Sequence, residues 1–198
     1  MKFSWIATGA SLLFVVAAPG ARAQSSQMQH SNASPADSQF VRKAMQGSDA
    51  EIKLGQLATE KASSPDVKQF GQRMVEDHTK LNEQMKPVAE QIGVSPLTTV
   101  SPKDQALEAK LETLSGDAFD KAYMSAMVKD HTKDLAEFRH EAKDGQSTAV
   151  KDAAEQGAHV IHEHLQLAEK VGHEVGAVGT NMSNKTGARN VSTPTGPQ

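Results

Sequence analysis

One glutamate and three histidines are the residues of this sequence whose types and spacing could do chemistry. Glu51, His78, His131 and His164 each lie on a stripe of apolar or small residues that recurs at steps of three and four. Such a stripe is the core-facing side of an amphipathic helix. Each of the four lies near the middle of its helix, so the sequence predicts that they meet at one level of a helical bundle.

A carboxylate and three imidazoles inside a core need partners, because burying an isolated charge is costly. The set suits a metal ion, and its donor types predict zinc or iron. Asp77 and Asp130 directly precede two of the histidines and are predicted as further ligands or as acceptors that orient the rings, with Tyr123 as an added hydrogen-bonding group.

Two other interpretations of these residues stay open. One is a polar network in which Glu51 pairs with protonated histidines, and the other is chance placement. In the network, protonation of the histidines is expected to loosen the bundle at about pH 5–6.

Four long helices and one short helix must position these side chains. Ser-Pro pairs mark three helix starts, since serine can cap free backbone N–H groups and proline fits the first helical position. Short links predict two antiparallel hairpins, and a longer linker predicts one crossover along the bundle, as in ferritin-like folds, with an up-down bundle as the alternative. The predicted helices are 35–61, 65–92, 102–113, 116–143 and 147–174.

The beginning of the chain has the three parts of a secretory signal peptide. Lys2 is followed by an apolar run and by an A-x-A site that ends at Ala23, which predicts cleavage there and a periplasmic or secreted protein. The sequence contains no cysteine, so neither a disulfide nor a thiolate metal site can form. The predicted divisions are a signal peptide at 1–23, a polar lead-in at 24–33, a helical bundle at 34–176 and a disordered polar tail at 177–198.

Composition narrows the function classes. The formal net charge is −3 and becomes more negative without Lys2 and Arg22, which argues against a nucleic-acid partner. No apolar run in the mature chain reaches the ~20 residues of a transmembrane helix. No nucleophile elbow, phosphate-binding glycine loop or H-E-x-x-H pattern is present, so the sequence favours a protein without enzymatic activity.

A short segment occurs twice, and it carries a family resemblance. Residues 74–80 (MVEDHTK) and 127–133 (MVKDHTK) agree at six of seven positions. Together with LSGDAFD at 114–120, Tyr123 and His164, this segment resembles a bacterial family of unknown function that is often described as outer membrane proteins and placed in the ferritin-like superfamily. The resemblance implies an exported four-helix bundle and no established activity.

The sequence departs from the pattern of di-iron ferritin-like proteins. Those use Glu-x-x-His on two helices, whereas Val75, Val128 and Ile161 stand three residues before the three histidines. A mononuclear site, or no metal, is therefore predicted instead of a di-iron centre. The preferred functional hypothesis is a non-enzymatic envelope or stress-response module that works through its surface or its tail, with an envelope protein or a metal ion as the expected partner. The alternative is a zinc- or iron-binding bundle with a storage or redox-protective role.

Overall fold

The computed structural model describes residues 33–97 and 99–179, and this part of the chain is an all-α bundle. The predicted helix ends are confirmed to within one residue. The predicted signal peptide, the lead-in before Ala33 and the tail after Gly179 lie outside the described residues. The helices are α1 (Pro35–Lys61), α2 (Pro65–Gln91), α3 (Pro102–Glu112), α4 (Gly116–Asp144) and α5 (Thr148–Glu174).

Local sequence explains most of the helix ends. Ser34 and Ser101 accept a hydrogen bond from the backbone three residues later, as expected of capping serines. Ser64 differs from this expectation, because its side chain makes no capping bond. After α5, Gly176 takes a positive φ and lets Ala177 and Val178 fold back onto Gly172, so packing continues two residues into the predicted tail.

Two buried aspartates, one in each helical hairpin, accept hydrogen bonds from the turn of the other hairpin. Asp120 of α4 accepts hydrogen bonds from the backbone N–H groups of Ser63 and Ser64, at 3.1 and 2.8 Å. Asp37 of α1 accepts the N–H groups of Gln146 and Ser147 in the same way, at 3.0 and 3.1 Å. Each carboxylate therefore satisfies the free donors at the start of a helix that lacks a serine side-chain cap.

These same contacts establish the chain topology. Because Asp120 lies in the first turns of α4 and reaches the α1–α2 turn, α4 begins at the end of the bundle opposite to where α2 finishes. The segment containing α3 therefore crosses the length of the bundle, as predicted. The result is two antiparallel hairpins with α2 and α4 running in the same direction.

A polar layer divides the core into two apolar clusters. The larger cluster surrounds the α1–α2 turn and includes Phe70, Phe119 and Tyr123. The smaller cluster lies toward the α4–α5 turn and includes Val41 and Val150. The buried polar residues between the clusters are Ser48, Glu51, His78, Asp130, His131 and His164. None of the described helices is both long and apolar enough to cross a membrane.

Candidate metal centre

The three predicted histidines converge at the middle of the bundle. His78, His131 and His164 come from α2, α4 and α5 and are 5%, 2% and 0% exposed. Their ring centroids form a nearly equilateral triangle with sides of 5.9, 5.3 and 5.4 Å. One ligand atom from each residue lies within 4.8 Å of the other two.

Each imidazole has one nitrogen in a hydrogen bond and one without a partner. His131 Nδ1 donates to the carbonyl oxygen of Met127 at 2.9 Å. His164 Nε2 lies 3.1 Å from a carboxylate oxygen of Asp77, and His78 Nδ1 lies 3.3 Å from Ser48 Oγ. The remaining nitrogens, His78 Nε2, His131 Nε2 and His164 Nδ1, are buried without a hydrogen-bond partner.

A histidine that binds a metal uses one ring nitrogen as the ligand and holds the other in a hydrogen bond. All three rings have one nitrogen in a hydrogen bond and one free. A ring that donates N–H to a carbonyl or carboxylate oxygen directs the lone pair of its other nitrogen away from that partner. Buried polar atoms are normally paired, since an unpaired one costs about 1–3 kcal/mol. Three such atoms lie on neighbouring rings, an arrangement that a single shared cation would satisfy.

Burial keeps the three rings in the neutral form that ligates metals. It is the main cause that lowers the pKa of His131 to about 4. Burial likewise lowers the pKa of His78 well below the usual value and lowers the pKa of His164, with neighbouring imidazoles adding to the effect at His78. Neutral imidazoles need not lose a proton before they bind a cation.

Asp77 is the carboxylate that lies against one of the rings, that of His164. Its carboxylate also accepts hydrogen bonds from Arg73 and Lys80, at 3.1 and 3.3 Å. Partial burial acts to raise the pKa of Asp77, but the hydrogen bonds from His164, Arg73 and Lys80 leave it lowered. A charged carboxylate is thus fixed against His164 from outside the cluster.

Glu51 lies near the histidines but outside the group whose ligand atoms converge. Its side chain is buried, and its Oε2 has no hydrogen-bond partner. Burial, followed by the charges of Asp134 and Asp130, raises the pKa of Glu51 well above the usual range. The described contacts include no hydrogen bond between Glu51 and a histidine, so the nitrogens of three histidines converge and Glu51 lies beside them as a neighbouring acid.

Two predicted supporting residues have other partners. Asp130 forms an ion pair with Lys103 of the crossover helix α3 instead of orienting His131. Tyr123 stacks on Phe119 in the larger apolar cluster, and its buried hydroxyl makes no hydrogen bond to a histidine. Sequence reasoning missed Ser48, although its place one turn before Glu51 on α1 puts it at the level of the site.

Comparisons with known proteins support the fold and identify the family. A DUF305 fragment from Deinococcus radiodurans is 19% identical, with a TM-score of 0.63 over 74% of this chain and 99% of that one. A DUF305 protein from Streptomyces coelicolor, described as a predicted secreted protein, is 14% identical, with a TM-score of 0.61 over 72% of this chain and 94% of that one.

These likenesses show a shared helical-bundle fold and nothing about activity. No curated protein matches the chain. The resemblance seen in the sequence is confirmed as far as a family of unknown function, while its ferritin-like classification stays a prediction. The family model for a domain of unknown function, DUF4142, matches residues 22–171, and the chain belongs to that family.

Proposed function

We propose that this protein binds one first-row transition-metal ion on His78, His131 and His164. The observation that carries the proposal is the set of three buried, unpartnered ring nitrogens whose opposite nitrogens are held by Met127, Asp77 and Ser48. A structural network of histidines would be expected to use those nitrogens in hydrogen bonds within the core.

The spacing of the three ligands suits a metal after a small adjustment. Zn–N bonds of about 2.0–2.1 Å place two ligands of a tetrahedral site roughly 3.3 Å apart. The ligand atoms lie within 4.8 Å of one another. Closing each gap takes at most about 1.5 Å, a distance that rotation of three imidazole rings can cover.

The donor set selects among metals. Three neutral imidazoles without a convergent carboxylate disfavour magnesium and calcium, which take oxygen ligands. Imidazole suits zinc, copper, iron and nickel, and zinc accepts three protein ligands with a fourth position left open. We propose zinc first and iron second, with a water molecule or a small anion in the fourth position.

The proposed biological role is to hold and buffer this ion outside the cytoplasm. The signal-peptide pattern supports export with cleavage near Ala23. The predicted secreted description of the Streptomyces neighbour agrees with that location. The preferred hypothesis from the sequence, a protein-binding envelope or stress module, has less support. Among the described residues, Leu97 is the exposed large hydrophobic side chain, so no apolar docking surface is evident.

Metal content of the mature chain, residues 24–198 without a histidine tag, tests the proposal. We expect about one equivalent of zinc after incubation and dialysis, and a rise in melting temperature that depends on metal concentration. The His159→Ala variant is the control, since His159 is exposed on the same helix as His164. Absence of stoichiometric zinc, iron, copper, nickel or cobalt, with no thermal shift, would refute the proposal.

A further inference from the structure

A cavity of about 370 Å³ lies beside the histidine cluster, between α1, α4 and the crossover helix. Among the three histidines, His78 is the one that lines it. Glu51 and Ser48 of α1 also line it, as do Lys103 of α3 and Asp130 of α4. The cavity therefore joins the protein surface to one ligand of the proposed metal centre.

The wall of this cavity is rich in carboxylates. Asp104, Asp130 and Asp134 lie close enough to Glu51 for their charges to raise its pKa further, after burial. Two buried atoms at its inner end, Glu51 Oε2 and His78 Nε2, have no hydrogen-bond partner. Carboxylates outnumber lysines along this cavity, and His78 contributes an unpartnered ring nitrogen to its lining, so the cavity attracts a cation.

Three lysines line this cavity, Lys43, Lys103 and Lys133, and Lys103 is the one that pairs with Asp130. Its ammonium group pairs with Asp130, whose side chain is 11% exposed, whereas the Lys103 side chain is 59% exposed. Burial acts to lower the pKa of Lys103, but the hydrogen bond and charge of Asp130 leave it raised. The exposed Lys103 side chain can move into solvent, whereas the carboxylate of Asp130 stays largely buried on α4.

We infer that this cavity is the route by which a divalent metal ion reaches the three histidines, with Lys103 as a removable cation across it. The inference rests on the proposed metal-binding function and adds to it a direction of approach. The ion exchanges with the lysine ammonium at Asp130 and then reaches His78 before the other two rings. The cavity residues other than His78 are not proposed ligands. Changing them should therefore alter the rates of metal entry and exit more than the affinity.

Gly47 offers a direct way to obstruct the route. It lines the cavity, and a Cβ atom added there meets nothing within 4 Å. Because Gly47 lies within α1, leucine at this position also suits the helix better than glycine. The Gly47→Leu side chain therefore begins at the cavity wall with no atom close to its Cβ.

Stopped-flow kinetics of Zn²⁺ or Co²⁺ with the mature chain provide the test. Gly47→Leu should slow association and dissociation alike, each by about tenfold, and leave the dissociation constant within about twofold, because an obstacle on a path changes both rates equally. The control is Gln56→Leu, an exposed position of the same helix outside the cavity, which should retain both wild-type rates.

A second variant tests the role of the lysine independently. Lys103→Gln should raise the association rate severalfold at low salt, and the gain should shrink as ionic strength rises. Unchanged rates in both variants, with a wild-type protein that does bind metal, would overturn the route and leave the proposed function standing. A faster dissociation rate for Gly47→Leu with normal association would also overturn it. A wild-type protein that binds no metal would overturn the proposed function itself.

Discussion

The two copies of the M-V-x-D-H-T-K segment, 74–80 on α2 and 127–133 on α4, share a sequence but not a set of partners. Their histidines behave alike, since both rings are buried and their centroids lie 5.9 Å apart. Their aspartates do not. Asp77 accepts a hydrogen bond from His164 across the bundle, whereas Asp130 pairs with Lys103 of the crossover.

The difference follows from what lies beside each copy. The helices α2 and α4 run in the same direction, so the residue before each histidine turns toward a different neighbour. At this level α5 presents His164 to Asp77, whereas the charge of Asp130 raises the pKa of Glu51 on α1. Among the described contacts, Lys103 is the partner of Asp130. The repeated motif therefore places a buried histidine in each helix, while the adjoining helix decides the partner of the preceding aspartate.

The largest effects on zinc affinity are expected for the two histidines of the repeated segment, which are alike in burial. His78→Ala and His131→Ala should each weaken zinc binding by at least about a hundredfold, because each removes one of three ligands, a loss greater than that of an orienting partner. The two losses should agree within severalfold. Isothermal titration of the mature chain measures both, with the exposed His159→Ala as control. A loss confined to one of the two variants would mean that the copies do not contribute equivalent ligands.

Substitution of the two aspartates should change zinc affinity by different amounts. Asp77→Asn removes the charge that orients His164 and should lower zinc affinity by about 10–100-fold. Asp130→Asn should change affinity by less than about threefold, since Asp130 is neutralised by Lys103 and orients no ring. The matched pair of variants, titrated under the same buffer conditions, compares the two directly. Equal losses would contradict the different roles assigned to the aspartates.

Glu51 is expected to make the folded protein less stable as pH rises above the usual pKa of a glutamic acid. Because burial raises its pKa in the folded state, stability from the protonated acid is present below its unfolded pKa of about 4.5 and declines as pH rises toward the folded value. Glu51→Gln keeps the shape and removes this titration. Its melting temperature without metal should exceed that of wild type by a few degrees more at pH 8 than at pH 5, which corresponds to about 1 kcal/mol.

The exposed Glu60→Gln on the same helix is the control for this measurement. It should shift the melting temperature equally at the two pH values. An increment for Glu51→Gln that is the same at pH 5 and pH 8 would show that the carboxyl group of Glu51 does not titrate differently in the folded protein.

Much of the fold, and the convergence of the three histidines, could be predicted from the sequence. Helix starts at Ser-Pro pairs and core stripes at steps of three and four are local features, so the helices and the three convergent histidines followed from them. The partners of Asp130 and Ser48, and the capping of Ser64 by Asp120, join residues that are distant along the chain. A stripe gives the face and height of a side chain but not the neighbour that it touches, which is why Glu51 was expected among the ligands.

The smallest effects are expected where the copies share both sequence and exposure. Thr79 and Thr132 each donate a hydrogen bond of 2.6 Å to the carbonyl oxygen four residues earlier, Val75 or Val128. Alanine removes a bond that competes with the helix and has the higher helix propensity. Both Thr→Ala variants should therefore raise the free energy of unfolding without metal, measured in urea, by up to about 0.5 kcal/mol and by the same amount. Both threonines are exposed to solvent. The different neighbours of Asp77 and Asp130 should therefore not affect these two variants. If the two variants changed the free energy of unfolding by amounts that differ by more than about 1 kcal/mol, the two copies would differ within their own helices and not only in their neighbours.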